Sequence, residues 1–326
     1  MPLVPQSGFR PAWWARHPHL QTALPTLWRR VALPMPYRRE RIGLPDDDFL
    51  DVDWLGDTTG QPEGAALLLH GLEGCSRTPY MLGLARALFH EGWRVGAINF
   101  RGCSGEPNRL PRSYHSGATE DLRAVLERSH SLADPTLPIV LAGFSLGGNL
   151  LLKYLGEAPP DPRIRAAAAV SVPCDLAESA GRLAEPANRI YMRRFLRYLY
   201  QKIRDKNRSL GTDFDEASFR RMRTFNEFDG AYTAPEHGFE SAEAYWSACS
   251  ANRFLEGIRT PTLLVQAADD PFLGPRCYPA GIAEDHKALH LEMPTHGGHV
   301  GFMECLRAPG PWWVERRLVQ FFNHRF

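Results

Sequence analysis

The sequence predicts an α/β fold: a mostly parallel central sheet, helices on both faces, and a helical insertion lying over it as a lid. Three observations predict it. From Ala65 onward, short aliphatic runs alternate with stretches of helical period, the rhythm of a parallel sheet covered on both sides. One of those runs, Leu137 to Phe144, leads directly into Gly143-Phe144-Ser145-Leu146-Gly147, and a helical pattern follows at once from Asn149 to Leu155. Between Cys174 and Ala251 the rhythm stops, and afterwards it resumes. A chain of 326 residues is long enough for one large domain with such an insertion, or for two ordinary domains.

Residues 1–36 form an expected N-terminal arm. Pro11, Pro18, Pro25, Pro34 and Pro36, interleaved with Trp13, Trp14 and Trp28, argue against long regular elements there, so the arm is predicted to pack over the domain. His17 and His19 read as solvated or packing side chains rather than ligands. Tyr37–Gly43 and Phe49–Leu55, separated by Pro45-Asp46-Asp47-Asp48, read as a hairpin at a sheet edge. The first part of the core spans 37–174. It holds strands at Ala65–Leu69, Trp93–Phe100, Leu137–Phe144 and Ile164–Val172, with helices at Pro79–Phe89 and Thr119–Ser129 and after Ser145.

The insertion is assigned to 175–255. Ile190–Ile203 is amphipathic, with Met192, Phe195, Leu196, Leu199 and Ile203 on one side and Arg193, Arg194, Arg197, Lys202 and Arg204 around the other. Its basic face reads as solvated; contact with anionic lipid is the alternative. Phe225, Phe228, Tyr232, Phe239, Tyr245 and Trp246 follow with little regular pattern. Because the insertion leaves a strand's carboxyl end, it is expected to overhang that edge of the sheet. The core resumes over 256–326, with strands at Thr262–Ala267 and Ala288–Glu292 and a closing helix at Trp312–Phe322.

Composition excludes several classes of partner. Lysine and arginine number 38 against 37 aspartates and glutamates, so the overall charge calls for neither nucleic acid nor an acidic polymer. A small molecule is the default partner. Six cysteines, at 75, 103, 174, 249, 277 and 305, include no C-x-x-C pair, which suggests neither a disulfide framework nor a zinc site; they read as reduced, mostly buried thiols. Met1–Trp14 lacks a basic region followed by an apolar stretch, and no run approaches the ~20 apolar residues of a membrane span. A cytoplasmic location is expected, and the oligomeric state is not readable.

The chemistry gathers at strand ends. In a strand–turn–helix Gly-x-Ser-x-Gly, Ser145 sits on strained backbone with its hydroxyl pushed above the sheet edge, and Gly143 and Gly147 remove side chains that would clash. The pentapeptide alone is a weak signal, and a glycine-lined turn with a capping serine is the lesser alternative until partners are found. A serine nucleophile needs a base, and the base needs an acid. Strand Thr262–Ala267 runs into Asp269-Asp270-Pro271, and strand Ala288–Glu292 into Thr295-His296-Gly297-Gly298-His299. Serine, acid, histidine is the chain order such an elbow requires.

Adjacent residues leaving a strand point to opposite sides, so only one of Asp269 and Asp270 meets the histidine. Asp270 is favoured because Pro271 stiffens the chain after it. His299 is favoured over His296 because Gly297 and Gly298 allow the approach, and Val300-Gly301-Phe302 is expected to seat the ring from behind. A metal pair of His296 and His299 is disfavoured, since no carboxylate or cysteine stands beside them at ligand spacing, and no cofactor is called for. Backbone donors for a developing oxyanion are assigned to the amides of Leu146, after the serine, and Leu72, in His70-Gly71-Leu72-Glu73-Gly74.

With these motifs in place the chain resembles an α/β-hydrolase over nearly its whole length. Narrower features are similar to the YheT-like branch, related to eukaryotic abhydrolase-domain lipases and esterases. They are His19-Leu20-Gln21-Thr22, His70 to Gly74, Asn99-Phe100-Arg101-Gly102-Cys103-Ser104-Gly105, and Phe225-Asn226-Glu227-Phe228-Asp229 followed by Thr233-Ala234-Pro235. The resemblance implies serine-dependent hydrolysis of carboxylic esters, with Ser145, Asp270 and His299 as the triad. Gly117-Ala118-Thr119-Glu120-Asp121 departs slightly from that pattern at Ala118, away from the triad. The aromatic insertion suggests an apolar acyl group of short to medium length. Competing readings are an acyltransferase using the same triad and a non-catalytic lipid-binding module on the same scaffold.

Overall fold

A computed structural model describes residues 3–4, 7–56, 62–157, 159–213, 215–305 and 310–323. Among these residues nine strands form one sheet: β1 Leu3–Val4, β2 Arg38–Gly43, β3 Phe49–Leu55, β4 Ala65–Leu69, β5 Arg94–Asn99, β6 Ile139–Phe144, β7 Ile164–Val170, β8 Thr262–Val265 and β9 Leu289–Glu292. Their order is β1-β9-β8-β7-β6-β4-β5-β3-β2. The hairpin β2–β3 is antiparallel and joins β5 antiparallel at one edge; every other pairing is parallel.

Period-two alternation divides the buried strands between two cores. Leu67, Leu69, Ile139 and Leu141 face Leu122, Val125, Leu150 and Leu151, which belong to α3 (Thr119–Arg128) and α4 (Leu146–Glu157). Ala66, Leu68, Val140 and Ala142 face the other way, onto Leu84, Leu88, Leu318 and Phe322, from α2 (Pro79–His90) and the terminal helix Trp313–Asn323. Because β4 to β9 run parallel, their carboxyl ends share one edge, where ligands of open α/β sheets bind.

The arm departs from its expectation. Residues 1–2 and 5–6 lie outside the described ones, β1 pairs with β9, and Pro18–Trp28 forms an eleven-residue helix, α1. Pro18 occupies the first turn, where its missing N–H is harmless. Thr22 donates to the Pro18 carbonyl at 2.8 Å. Pro25 lies inside the helix; lacking an N–H, it leaves the Gln21 carbonyl outside the helical ladder. That carbonyl faces Gly301, where a Cβ would collide with it. The helix is held instead by its buried face: Leu24 packs with Ala15, Met303 and Trp312, and the Gln21 side-chain amide bonds the backbones of Ala15 and Met303.

The insertion is more regular than its pattern suggested. α5 (Leu176–Ala184) and α6 (Arg189–Leu210) are followed by Phe225–Phe228, a π-helical turn at Asp229–Thr233 and a helix at Ala242–Cys249. Short capped helices, such as the one opened by the Thr224–Glu227 capping box, carry too few turns to show a periodicity. The six cysteines are free; Cys174, Cys249 and Cys277 are buried, Cys75 and Cys103 partly so, and Cys305 is exposed. Among the described residues no helix is long and apolar enough to cross a membrane.

Candidate active site

β6 ends at Phe144, and α4 begins at Leu146, leaving Ser145 alone in the turn at φ 52°. A left-handed conformation costs a non-glycine residue about 1–3 kcal/mol. It is held by the Ser145 amide, which donates to the Val170 carbonyl at 2.9 Å. The glycines make the turn possible: a Cβ on Gly147 would stand 2.5 Å from the His70 carbonyl, and one on Gly143 2.5 Å from that of Gly147.

The Ser145 Oγ lies 2.9 Å from His299 Nε2, and His299 Nδ1 lies 2.9 Å from Asp270 Oδ2. Asp270 is buried, and its other oxygen accepts from the Phe272 amide at 2.9 Å. Asp269 goes elsewhere. Its Oδ1 accepts from the Gly298 amide at 2.9 Å, and its Oδ2 lies 3.3 Å from His296 Nδ1. Burial is the largest influence on the Asp269 carboxyl and raises its pKa above the usual value. The two adjacent acids thus address two different histidines, and His296 is brought to neither Ser145 nor Asp270 by any hydrogen bond among the described residues.

The loop carrying His299 is strongly bent: Gly297, Gly298, Val300 and Phe302 all have positive φ. Side chains from distant elements pin it. Thr22 of α1 accepts from the His299 amide at 2.9 Å, Ser171 from that of Val300 at 2.9 Å, and Gln21 from that of Met303 at 2.7 Å. The ring packed on His299 is Phe272, at 4.4 Å between centroids. Phe302, expected from the sequence to seat it, turns instead to Phe9 and Trp313. The His19–Thr22 motif contributes Gln21 and Thr22 to this loop, a role invisible without the fold.

On the other side of Ser145 runs the loop after β4. A Cβ on Gly71 would lie 3.1 Å from that of Ser145, so the backbone passes close. The Gly71 amide donates to the Tyr80 hydroxyl at 2.9 Å and the Glu73 amide to that of Tyr114 at 2.8 Å. Between them, among the described residues, the Leu72 amide has no acceptor, and neither does that of Leu146. Glu73 adopts φ 54° and is tied to the insertion through Lys202 of α6, whose ammonium lies 2.8 Å from its carboxylate. Lys202 Nζ is also 2.8 Å from Cys103 Sγ. Burial opposes the ammonium, but Cys103 and Glu73 outweigh it and raise its pKa. Burial pushes the Cys103 thiol up to about 11.

Sequence reasoning missed Tyr80, Tyr114, Glu73 and Lys202 as supports of this loop. Glu73 lay inside a quoted motif and Lys202 on a face read as solvated, and nothing in a linear pattern joins them. Arg101 was likewise unassigned. It is buried and pairs with Asp46, Asp48 and Asp121 at 2.8, 3.0 and 2.7 Å, tying the β2–β3 turn to α3.

A cavity of about 130 Å³ lies between the sheet edge and the insertion. Ser145, Leu146, Leu72 and His299 line it at the core side; Leu183, Phe195, Leu199, Phe225, Phe228 and Trp246 line it at the insertion side. Its wall surface is mostly apolar, with polar side chains such as Ser113, His115, Asp229 and His237 interspersed, a mixture found in small-molecule sites. Among the described residues no group of three or more His, Cys, Asp or Glu side chains is placed to hold a metal ion.

Residues 66–305 match the model of the alpha/beta hydrolase fold family. YheT of Escherichia coli K12 is 36% identical to this chain, covering 98% of it and 93% of its own length. Phospholipase ABHD3 of Bos taurus is 30% identical over 92% of this chain and 78% of its own. Among solved structures, the esterase Pf2001 of Pyrococcus furiosus superposes with a TM-score of 0.56 at 17% identity, over 91% of this chain and 98% of that one. At that identity the likeness concerns the fold.

Proposed function

This chain belongs to the α/β-hydrolase family, with lipase and esterase relatives, and on that premise we propose that it hydrolyses carboxylic esters through an acyl-enzyme on Ser145. The observation that carries the reading is the hydrogen-bonded line from Ser145 Oγ through His299 to Asp270, each step 2.9 Å, at the wall of an apolar cavity. His299 Nε2 takes the hydroxyl proton as Ser145 attacks the acyl carbon; Asp270 holds the ring orientation and balances the imidazolium. The Leu72 and Leu146 amides receive the oxyanion, the latter at the positive end of α4. The tetrahedral adduct collapses as His299 returns the proton to the leaving alkoxide. Water then enters, and its oxygen attacks the acyl carbon as His299 removes a proton; the second adduct breaks its bond to Ser145 Oγ, which takes the proton back from His299 as the acid departs. No cofactor is needed for these steps.

The aromatic and aliphatic lining of the insertion supports an apolar acyl group of short to medium length. A fluorophosphonate is expected to label the folded wild-type protein at Ser145, and p-nitrophenyl esters graded by acyl length to be turned over with a preference within that range. Ser145→Ala loses both labelling and turnover. Folded wild-type protein that is neither labelled nor active on any ester of the panel overturns the reading, and acyl transfer to added alcohols in preference to water replaces hydrolysis with transfer.

A further inference from the structure

The chain is nearly neutral overall, with a net charge of +1, yet its charges are unevenly placed. Residues 7–36 contain Arg10, Arg16, Arg29 and Arg30 and no acid; 186–204 contain five arginines and Lys202 and no acid. Arg29 pairs with Glu315, Lys202 with Glu73 and Arg204 with Asp205. The others form no ion pair among the described residues. On α6, Ile190, Arg193, Arg194 and Arg197 are exposed and share one face at i, i+3, i+4 and i+7.

Large apolar side chains are exposed in the same two segments. Trp13 is 80% exposed, Trp28 60%, Leu27 54% and Ile190 77%. The segments meet: His19 Nδ1 lies 3.2 Å from the Tyr191 hydroxyl, and the two rings stack at 5.6 Å. Tyr191 packs on Phe272 at 4.9 Å, and Phe272 packs on His299. The patch therefore reaches the wall of the cavity through three side chains.

We propose that the face built by α1, the Trp13–Trp14 turn before it and the first turns of α6 docks on an anionic lipid surface. An exposed basic face alone is ordinarily solvated, and scattered exposed apolar residues need no explanation. Here the two coincide. Indoles and leucines seat at the boundary between headgroups and acyl chains, while guanidinium groups engage the headgroup phosphates. A nucleic-acid duplex has phosphates to offer the arginines but nothing for Leu27 and Ile190. Docking here sets the His299 side of the cavity toward the membrane, the source from which an apolar ester would enter.

The test uses the full chain and sedimentation with vesicles of phosphatidylcholine, either pure or with one-third phosphatidylglycerol. Binding to the anionic vesicles is expected to exceed that to pure phosphatidylcholine by about tenfold or more, and to weaken as salt rises from about 0.1 M to about 0.5 M. Arg193→Gln/Arg194→Gln/Arg197→Gln and Trp13→Ser/Trp28→Ser each lower it by about tenfold, while turnover of a soluble p-nitrophenyl ester stays at the wild-type rate. Equal partition on both vesicle types, binding unchanged in the arginine variant, or retention on a DNA duplex without retention on vesicles each overturns the proposal. The arginine positions are solvent-exposed, so that variant decides the matter even where the tryptophan variant fails to fold. Vesicle binding is read without turnover, so failure of the esterase reading leaves this result standing.

Discussion

Lys202→Met is the perturbation that tests how the insertion supports the loop proposed to hold the oxyanion. The Lys202–Glu73 pair spans 2.8 Å, with side chains 15% and 7% exposed. Removing the lysine leaves a carboxylate with little water and no cation, although Tyr114 still donates to it at 2.8 Å. Breaking a buried pair on one side costs about 3–5 kcal/mol, and the surviving Tyr114 bond puts the loss near the lower end, about 3 kcal/mol. For a chain of 326 residues that corresponds to a fall in melting temperature of roughly 4–5 °C. Glu73 directly follows Leu72, so the stranded carboxylate also displaces the Leu72 amide. Losing one oxyanion donor outright costs about a hundredfold or more in kcat; displacing it should cost about tenfold, with KM less affected. Thermal denaturation and ester kinetics are run on Lys202→Met and on the double variant Lys202→Met/Glu73→Gln, in which no charge is stranded. The double variant should regain about 2 kcal/mol of stability. If the two melt together, and both turn over ester at the wild-type rate, the pair neither stabilises the loop nor positions it.

Other outcomes follow from the same geometry. Asp270→Asn should lower kcat by about 10⁴, whereas Asp269→Asn, which keeps an acceptor for the Gly298 amide, should cost less than about tenfold; equal losses would mean that the two carboxylates do not have separate histidines. Gly147→Ala places a Cβ against the carbonyls of His70 and Leu69 and should destabilise by about 3 kcal/mol or more, read as a lower melting temperature. His70 is fully buried, and burial lowers its pKa to about 3. Because the unfolded ring titrates near 6.5, its contribution is fully present above that pH and is lost as pH falls toward 3. The loss between pH 7.5 and pH 4 is about 3 kcal/mol. Denaturant titrations over that range should show a shallower acid limb for His70→Asn; parallel limbs would refute the assignment.

Much of the architecture was legible in the chain itself, because the hydrophobic period is local. Alternating faces at Leu67/Leu68 and Ile139/Val140, helical spacing in α2 and α3, and the break after Cys174 specify strands, helices and an insertion without reference to the rest of the molecule. The glycines at 143 and 147 likewise mark a turn that only they permit, and the order Ser145, Asp270, His299 follows from which residues end which strands. What the chain could not determine depends on side chains far apart in sequence. Whether Asp269 or Asp270 reaches His299 rests on a loop held by Thr22, Gln21 and Ser171. A helix forms despite Pro25 because Leu24 and the Gln21 side chain are held by Ala15, Met303 and Trp312, far away in sequence or outside the helix. Phe272 rather than Phe302 backs the histidine ring because β8 and β9 bring their end loops together in space. The Lys202–Glu73 pair exists only because the insertion folds back over the sheet edge. Local periodicity chose the elements; burial and charge pairing between distant segments chose which side chains meet at Ser145.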